Sequence, residues 1–500
     1  MDLHFHAAGP LTGLTTSLLV VPVFKGEGGA AVTPGNAGRE LAGPDDRWHG
    51  DLRWQAGSRL VTYGSGAPGP RRVAFLGLGK ETGELDRETV RRFAGSAVRL
   101  AESLRIADLA LLVPQGGEVD GAAAHQAAAE GLVLAAWRFR ELKTGVGEEE
   151  APAEVTRATL VPVGGESSSQ AEAMERGRIL AEAENLARVL QSRPGNRATP
   201  SGLAETAEGW AKEYGLEIDV LGPERLREER MGALLAVSQG SAEEPRLIVL
   251  RHNGGAEGDP PLVLVGKGLT FDAGGISLKP PKGMEDMKFD MSGGAAVLAA
   301  MTAVARLDVP RNVVGVVPSS ENLLGAAAVK PGDVITTRSG ITVEVINTDA
   351  EGRLILCDAL DYVTEMNPEA VVDCATLTGA VVIGLGHQAM AVLGTDDALV
   401  EELQEVGRAT GERCWPLPLW PEYRRQLESE TADLKNVGGR PAGTITAAMF
   451  LRQFVKDMPW AHLDVAGTSY GDGGEIPYRR VGGYGVPTRL LVEWVLRRAG

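Results

Sequence analysis

The first third of the chain alternates short apolar runs with longer stretches of helical period. The predicted strands are 18–24, 72–79, 107–114 and 158–164, and the predicted helices are 87–104 and 121–139. Strands that alternate with helices of this length are typical of a βαβ sheet. We therefore predict a smaller N-terminal α/β domain over residues 1–169.

Polar stretches rich in Gly, Glu and Ser separate this region from the rest of the chain. Residues 144–156 and 164–169 predict loops because their Gly, Pro and Ser residues interrupt regular structure. A strong helical pattern follows over 170–190, and prolines at 194 and 200 come after it. We predict a linker helix that occupies residues 170–192.

The remaining 300 or so residues repeat the alternation on a larger scale. The predicted strands are 246–250, 262–266, 312–318, 342–346, 370–375 and 461–466, and the predicted helices are 293–307, 353–366, 398–410, 444–456 and 488–498. In the first of these helices, apolar residues recur at the i, i+3, i+4, i+7 spacing of one buried face. We predict a larger C-terminal domain over 193–500, with a central mixed sheet flanked by helices.

Charge and composition narrow the class of partner. The 500 residues carry 50 basic and 67 acidic side chains, a formal net charge of −17, which disfavours nucleic acid and anionic membranes as partners. The early apolar run 18–24 is far too short to span a membrane, and the first residues lack the pattern of a signal peptide. Three cysteines without a C-x-x-C pair argue against a disulfide framework or thiolate zinc site. We expect a cytoplasmic protein.

Charged residues follow the end of one predicted strand in an unusual glycine-rich segment. The apolar strand ends at Gly266, and Lys267, Asp272, Lys279 and Asp290 come after it. In open α/β sheets, ligands bind beyond the carboxyl ends of the strands. This segment is therefore a candidate ligand site.

A second segment of this kind follows the strand that ends near residue 346. Asn347, Asp349, Glu351 and Arg353 stand at every second position. In an extended chain, that spacing would place all four side chains on one face. Both segments lie just beyond the carboxyl ends of predicted strands, so their side chains are expected to meet.

The acids of the two segments are suited to divalent cations. Asp272, Asp290, Asp349 and Glu351 would repel one another if they converged without a counter-charge. They are oxygen donors of the kind that Mg²⁺, Mn²⁺ and Zn²⁺ accept. Four such acids can share two ions, the arrangement of dimetal hydrolases.

Each of these residues also has an ordinary structural interpretation. Asp272 would close a turn, Asp349 would cap the helix that begins near residue 352, and Glu351 would favour its dipole. The lysines and Arg353 would be solvated or paired with neighbouring acids. Only the conjunction of two acidic segments at strand ends favours a metal site.

Both segments resemble the leucine aminopeptidase family, the dimetal cytosol aminopeptidases. Residues 347–354 (NTDAEGRL) match the signature of that family, and its further blocks match 267–280, 287–298, 373–380, 460–467 and 485–495. The resemblance extends over about residues 185–500.

The resemblance implies a role for each matching residue. Lys267, Asp272, Asp290 and Glu351 would hold one metal ion, and Asp272, Asp349 and Glu351 the other. Lys279 would act on the scissile carbonyl or its oxyanion, and Arg353 would bind a bicarbonate ion that serves as general base. The substrate pocket would be lined by Met287, Asn347, Thr376, Leu377, Gly379 and Ala466.

The resemblance implies a metalloaminopeptidase that releases N-terminal leucine and other apolar residues from peptides with a free N-terminus. Its two ions would be Zn²⁺ or Mn²⁺, with Mg²⁺ or Co²⁺ as alternatives in one site, and the family forms homohexamers. Two other functions stay open at this point. A dimetal phosphoesterase would use the same acids, and a DNA-binding regulator with this fold would show a basic groove in the N-terminal domain.

Overall fold

The computed structural model describes residues 1–6, 10–34, 37, 41, 50–64, 69–144, 153–163 and 168–500. The chain forms two compact units. Unit 1 comprises Met1–Glu182 and Gly473–Arg480, and unit 2 comprises Ala183–Asp472 and Val481–Gly500. The centres of the two predicted loops, at 145–152 and 164–167, lie outside the described residues.

Unit 1 is built on a seven-stranded sheet. Its strands are β1 (Asp2–Phe5), β2 (Leu19–Lys25), β3 (Ala31–Val32), β4 (Arg59–Tyr63), β5 (Arg72–Gly77), β6 (Asp108–Leu112) and β7 (Arg157–Val161). Their spatial order is β1-β7-β6-β2-β5-β4, with β3 beside β2. The pairs are parallel except β4 with β5 and β3 with β2. The predicted N-terminal βαβ sheet is confirmed.

Two helices cover one face of this sheet, α1 (Arg87–Ser103) and α2 (Gly121–Ala136). Each begins after an aspartate whose side chain accepts a backbone N–H of the first turn: Asp86 from Thr89, and Asp120 from Ala123, both at 2.7 Å. The apolar faces of α1 and α2 pack into one core cluster with the strands. Helix α3 (Ser168–Ser192) spans the residues 170–192 that were predicted to be helical, and unit 1 ends within it, at Glu182.

Unit 2 contains a nine-stranded mixed sheet and two small sheets. The strands are β8 (Glu217–Leu221), β9 (Arg246–Asn253), β10 (Leu262–Gly266), β11 (Gly268–Asp272), β12 (Asn312–Asn322), β13 (Val334–Thr336), β14 (Thr342–Glu344), β15 (Ala370–Ala375), β16 (Met390–Gly394), β17 (Cys414–Pro416), β18 (Leu434–Lys435), β19 (Trp460–Asp464), β20 (Tyr470–Gly471) and β21 (Gly482–Gly483). The large sheet has the order β17-β16-β19-β15-β10-β12-β9-β8, with β11 beside β12.

Four neighbouring strands at the centre of this sheet run parallel. They are β19, β15, β10 and β12. Every residue of β10, β15 and β19 is buried, the pattern of strands that are covered on both faces. Because parallel strands end at the same edge, the segments after β10, β15 and β19 begin side by side. The predicted mixed sheet is confirmed, with antiparallel pairs only toward its two sides.

The helices of unit 2 pack against this sheet and against one another. They are α4 (Pro200–Tyr214), α5 (Pro223–Glu228), α6 (Gly232–Ser238), α7 (Ser292–Arg306), α8 (Gly352–Thr364), α9 (Gly379–Leu385), α10 (Asp397–Thr410), α11 (Gly443–Arg452) and α12 (Thr488–Ala499). The stripe predicted on α7 is buried, but so is nearly all of that helix. Among the described helices, none is long and apolar enough to cross a bilayer.

Candidate active site

The two acidic segments meet at the carboxyl ends of the central strands. Lys267 follows β10 directly, Asp272 ends β11, and Asp290 lies in a 3-10 turn over Met284–Met291 that leads into α7. Asp349 and Glu351 lie in the loop between β14 and α8. Thr348 ties the two segments together: its hydroxyl donates to Gly274 O at 2.6 Å and accepts from Ser277 N at 2.8 Å.

Asn436, in unit 2 beside β18, fixes the shape of the loop that carries Asp349 and Glu351. Its side-chain oxygen accepts from Ile346 N at 2.9 Å, and its side-chain amide donates to Asn347 O at 2.7 Å and to Ala350 O at 3.4 Å. Its main-chain carbonyl accepts from Arg353 Nη1 at 2.8 Å. One fully buried asparagine therefore holds both ends of the loop.

Two lysines lie among the acids. Lys267 Nζ lies 2.8 Å from Asp290 Oδ2 and 2.9 Å from Glu351 Oε1. Lys279 Nζ lies 2.8 Å from Asp272 Oδ2 and also contacts Asp349 Oδ1. Gly352 leaves room for the first lysine, since a Cβ at that position would lie 2.6 Å from Lys267 Nζ. All four acids therefore contact a cation.

Burial and mutual repulsion perturb the acids of the site. Burial, together with the charges of Glu351 and Asp290, raises the pKa of Asp272 to about 8. Burial also raises the pKa of Asp290 and of Asp349. Burial opposes the charged form of Glu351 as well, but Lys267 and Lys279 hold its pKa below the usual value. The two lysines thus supply too little positive charge for all four carboxylates to ionise easily.

The donor set fits divalent cations. Asp272, Asp290 and Glu351 each offer a carboxylate oxygen, and these oxygens lie within 4.8 Å of one another. Asp290 Oδ2 is buried and lies 2.8 Å from Lys267 Nζ. Hard oxygen donors at this spacing are what Zn²⁺, Mn²⁺ and Mg²⁺ bind, and a dication would favour the ionised acids.

Most of the predicted site residues line one cavity of about 270 Å³. It contains all five proposed metal ligands and Lys279, together with Met287, Thr376, Leu377, Gly379 and Ala466. Asn322 supports the cavity from the end of β12, because its side-chain amide donates to Asp272 Oδ1 and to Thr348 O, both at 2.9 Å.

Two predicted residues, Asn347 and Arg353, are not among the described residues that line this cavity. The expectation that the 347–353 segment is extended with one common face is wrong. Asn347 Oδ1 accepts from Asp349 N at 2.9 Å, which closes a turn and directs the Asn347 side chain to its own backbone. Arg353 is already in the first turn of α8, and burial lowers its pKa to about 10.

The ordinary structural roles hold only in part. Glu351 occupies the N-cap position of α8, but no side-chain capping bond forms there, so neither Asp349 nor Glu351 serves as a cap. Asp272 does close a turn, since its Oδ1 accepts from Gly274 N at 2.9 Å. Its other oxygen contacts Lys279. The acids are therefore directed toward one another rather than toward helix ends.

Several cavity residues were given no role by the sequence, although Phe289 and Thr378 lie in blocks that resemble the family: Asp286, Phe289, Thr378, Val382 and Tyr470. Phe289 and Tyr470 stack with ring centroids 4.5 Å apart and form an aromatic wall. Asn322, which supports the cavity, ends a central strand. It could have been found from the sequence, because ligands in open α/β sheets bind beyond the carboxyl ends of the strands. Asn436 follows a two-residue strand, where no periodic pattern marks it.

Comparison with known proteins agrees with this geometry. The family described as "Cytosol aminopeptidase family, catalytic domain" matches residues 185–492, and the N-terminal domain of the same family matches residues 49–145. A probable cytosol aminopeptidase of Syntrophotalea carbinolica is 49% identical over 87% of each chain. Another from Aromatoleum aromaticum is 41% identical over 97% of each chain.

A solved structure shares the fold as well. The bottromycin maturation enzyme BotP in complex with Mn superimposes with a TM-score of 0.85 at 33% identity, covering 97% of this chain and all of BotP. Both family domains are thus matched, relatives above 40% identity span most of the chain, and the carboxylate cluster lies where the family's signature segments converge. The chain belongs to the cytosol aminopeptidase family.

Proposed function

We propose that this aminopeptidase holds two divalent cations in the carboxylate cavity and releases apolar residues, leucine among them, from peptide N-termini. The observation that carries the proposal is the convergence of four acids from two segments into one cavity. The structure holds them with lysines and backbone bonds, and three of them lie within 4.8 Å of one another.

The two ions would share Asp272 and Glu351 and would differ in their other ligands. Lys267, Asp272, Asp290 and Glu351 would hold one ion. Asp272, Asp349 and Glu351 would hold the other, with help from the carbonyl of Asp349. When bound, Zn²⁺ or Mn²⁺ (or Mg²⁺ or Co²⁺ in one site) supplies Lewis acid chemistry and water activation. The Mn in the BotP complex supports this choice of ions.

Lys279 is suited to stabilise negative charge on the substrate carbonyl. It is 21% exposed, whereas Lys267 is only 3% exposed, so it can reach a substrate in the cavity. The acids around it raise its pKa although burial opposes its charge, so the ammonium persists at neutral pH. A fixed positive charge beside a developing oxyanion lowers the barrier by electrostatic stabilisation.

Arg353 is proposed to hold bicarbonate as general base. Its Nη1 donates to Asn436 O, while its buried Nε has no hydrogen-bond partner among the described residues. A guanidinium with donors unused is suited to a planar anion.

The cavity wall supports a preference for apolar side chains. Met287, Phe289, Leu377, Val382, Ala466 and Tyr470 contribute apolar surface. A volume of about 270 Å³ accepts a side chain the size of leucine beside the scissile bond. Asn347 is not retained as a wall residue, because its side chain closes its own turn.

Two paired substrates test the proposal. Leucine amide should be hydrolysed and N-acetyl-leucine amide should not, since the free amine is proposed to bind one metal ion and orient the peptide. Leucine amide should also exceed aspartate amide in kcat/KM. Equal rates for the free and the acetylated amide would show that the amine is not recognised, and the chain would then be a different amidase.

The dimetal phosphoesterase is not favoured, because a phosphate needs several cations around it, and Lys279 is the one partly exposed cation among the described residues that line the cavity.

We propose a cytoplasmic homohexamer. All three cysteines are free and buried, as suits a reducing compartment. In unit 2, Ile383, Trp415 and Trp420 are 84%, 61% and 62% exposed in the single chain, which supports an assembly that covers apolar surface. Light scattering after gel filtration tests the mass.

A further inference from the structure

A second cavity lies entirely within unit 1, and the proposed hydrolysis does not use it. Its volume is about 600 Å³, within the range of small-molecule sites. Its walls come from the turn before β4, the end of β5 with the residues after it, one face of α1, and the 473–480 segment of the same unit. The cavity is therefore built from four separate parts of one compact unit.

The floor of this cavity is apolar. Leu76 and Leu78, at and after the end of β5, are each 8% exposed, and Phe93 and Leu100 on α1 are 3% and 5% exposed. Pro477 adds apolar surface from the 473–480 segment. Three hydroxyl-bearing residues also line it: Ser58, Thr89 and Ser96. A ligand with an apolar body and a few polar groups would suit such a lining.

The charges of the lining are almost all positive. Arg59, Lys80, Arg92 and Arg99 line the cavity, against Glu475 as the one acid among its described lining residues. The lining thus carries a formal charge of +3, in a chain whose net charge is −17. A concentration of positive charge in so acidic a protein favours an anionic ligand.

The four cations differ in how far acids neutralise them. Lys80 pairs with Asp86 at 2.5 Å, and Arg92 pairs with Glu88 at 2.8 Å. Arg99 instead donates to the main-chain carbonyls of Pro477 and Arg479, at 2.9 and 2.6 Å. Arg59 is exposed and has no side-chain partner among the described residues.

Arg99 holds its charge against an energetic penalty. Burial lowers its pKa, and the nearby charge of Arg138 lowers it further, although Glu102 opposes this. A bound anion would offset the penalty. Guanidinium groups bind carboxylate and phosphate through paired hydrogen bonds.

We propose that this cavity is a binding site for a small organic anion, with a carboxylate or phosphate group held by Arg59 and Arg99 and an apolar or aromatic body on the leucine floor. A nucleic acid is disfavoured as the occupant, because the positive charges surround a small apolar floor and the chain as a whole repels polyanions.

Naphthalene derivatives of matched size test the proposal on the full-length, metal-loaded protein. 1-Naphthyl phosphate and 1-naphthoate should each bind at least about tenfold more tightly than neutral 1-naphthol, measured by calorimetry, since charge-assisted hydrogen bonds contribute this much. Comparing the first two distinguishes phosphate from carboxylate. Chelated protein should bind both anions equally well, which separates this cavity from the metal site.

Two variants and a matched control locate the binding. Arg59→Gln should weaken both anions about fivefold to tenfold, as expected for the loss of one charged donor. Ser96→Phe should fill the cavity and abolish binding of all three probes, with folding checked by circular dichroism and melting temperature. Arg71→Gln removes an exposed arginine of unit 1 that does not line the cavity, and should change nothing.

Three results would overturn the proposal. They are equal affinity for naphthol and the two anions, anion binding that chelation removes, and anion binding that neither Arg59→Gln nor Ser96→Phe alters. A duplex DNA that shifts in a gel and is released by Arg59→Gln, while the naphthyl anions fail to bind, would reassign the cavity to nucleic acid.

Discussion

Two cavities of this chain, one within each unit, lie at comparable places in their sheets and carry opposite charge. The cavity of unit 2 follows the ends of central parallel strands and is lined by five carboxylates and two lysines, a formal charge of −3. The cavity of unit 1 adjoins the end of β5, next to the edge strand β4, and its lining carries +3. An α/β sheet thus offers crevices at its strand ends, and the side chains placed there decide what each crevice can bind.

The degree of burial also differs. In unit 2, Asp272, Asp290 and Glu351 are all less than a tenth exposed. In unit 1, Arg59 is exposed and Lys80 and Arg92 are partly so. Buried like charges need a counter-ion much more than exposed ones do. Removing the proposed metal ions of unit 2 should therefore affect activity far more than removing one cationic side chain of unit 1 affects anion binding.

Chelation should have the largest effect. Exhaustive treatment with EDTA is expected to abolish hydrolysis of leucine amide, and Mn²⁺ or Zn²⁺ should restore it, because the carboxylates and Lys267 supply all the proposed side-chain ligands. The measurement is activity beside metal content per chain. Full activity at negligible metal content would refute the dimetal proposal.

Glu351→Gln should be the most damaging single substitution of the site. Glu351 Oε1 contacts Lys267, and Oε2 lies 3.4 Å from Asn322 Nδ2. Glutamine has the same shape as glutamate, but it lacks the negative charge that is proposed to hold both ions. Arg353→Ala should reduce kcat/KM by about the 10²–10⁴-fold of general base catalysis or less. If Glu351→Gln retains two metal ions and near-normal kcat/KM, its bridging role is wrong.

Asn436→Ala should have an intermediate effect. It removes the side-chain partner of Ile346 N, Asn347 O and Ala350 O, of which the last is buried, and an unsatisfied buried group destabilises by about 1–3 kcal/mol. The looser loop should lower kcat/KM by about 10²-fold, as small displacements of catalytic groups do. Asn322→Ala is a second positioning variant. Gln426→Ala is the control, because Gln426 Oε1 accepts from Gly439 N, which is close to Asn436 in the chain but outside the 346–350 loop. Unchanged metal affinity and kcat in Asn436→Ala would contradict the positioning role.

The smallest effect concerns pH and stability. The pKa of Asp272 is raised to about 8 from an ordinary value of 3.8, so the folded metal-free chain binds this proton more tightly than the unfolded chain does. The free energy of unfolding should therefore fall as pH rises through roughly 4 to 8. Asp290 and Asp349 act in the same direction, and Glu351 acts in the opposite one.

Melting temperatures of chelated and metal-loaded protein between pH 5 and 8 measure this effect. As the pH rises from 5 to 8, the melting temperature of the chelated protein should fall by a few degrees more than that of the metal-loaded protein. The reason is that a bound dication keeps the carboxylates charged at either pH. The same reasoning predicts release of protons on metal uptake at pH 7, measurable by calorimetry in two buffers. Parallel melting curves for the two forms would contradict it.

Much of the architecture could be predicted because buried strands and amphipathic helices leave periodic patterns. The predicted strands 262–266 and 370–375 coincide with β10 and β15, and the helix predicted at 293–307 lies within one residue of α7. The family signature at 347–354 lies in the loop that carries two of the acids. These features depend on residues that are close in sequence, so a local pattern is enough to predict them.

The sequence by itself determined the fold class, the two acidic segments and their location after strand ends. Only the tertiary structure decided which side chains meet. Asn347 turns back onto its own loop, Asn436 reaches that loop from almost ninety positions away, and Glu475 joins Arg59 around one cavity although the chain between them passes through unit 2. The physical reason is that these contacts depend on how distant segments are brought together by core packing, and no local periodicity encodes that.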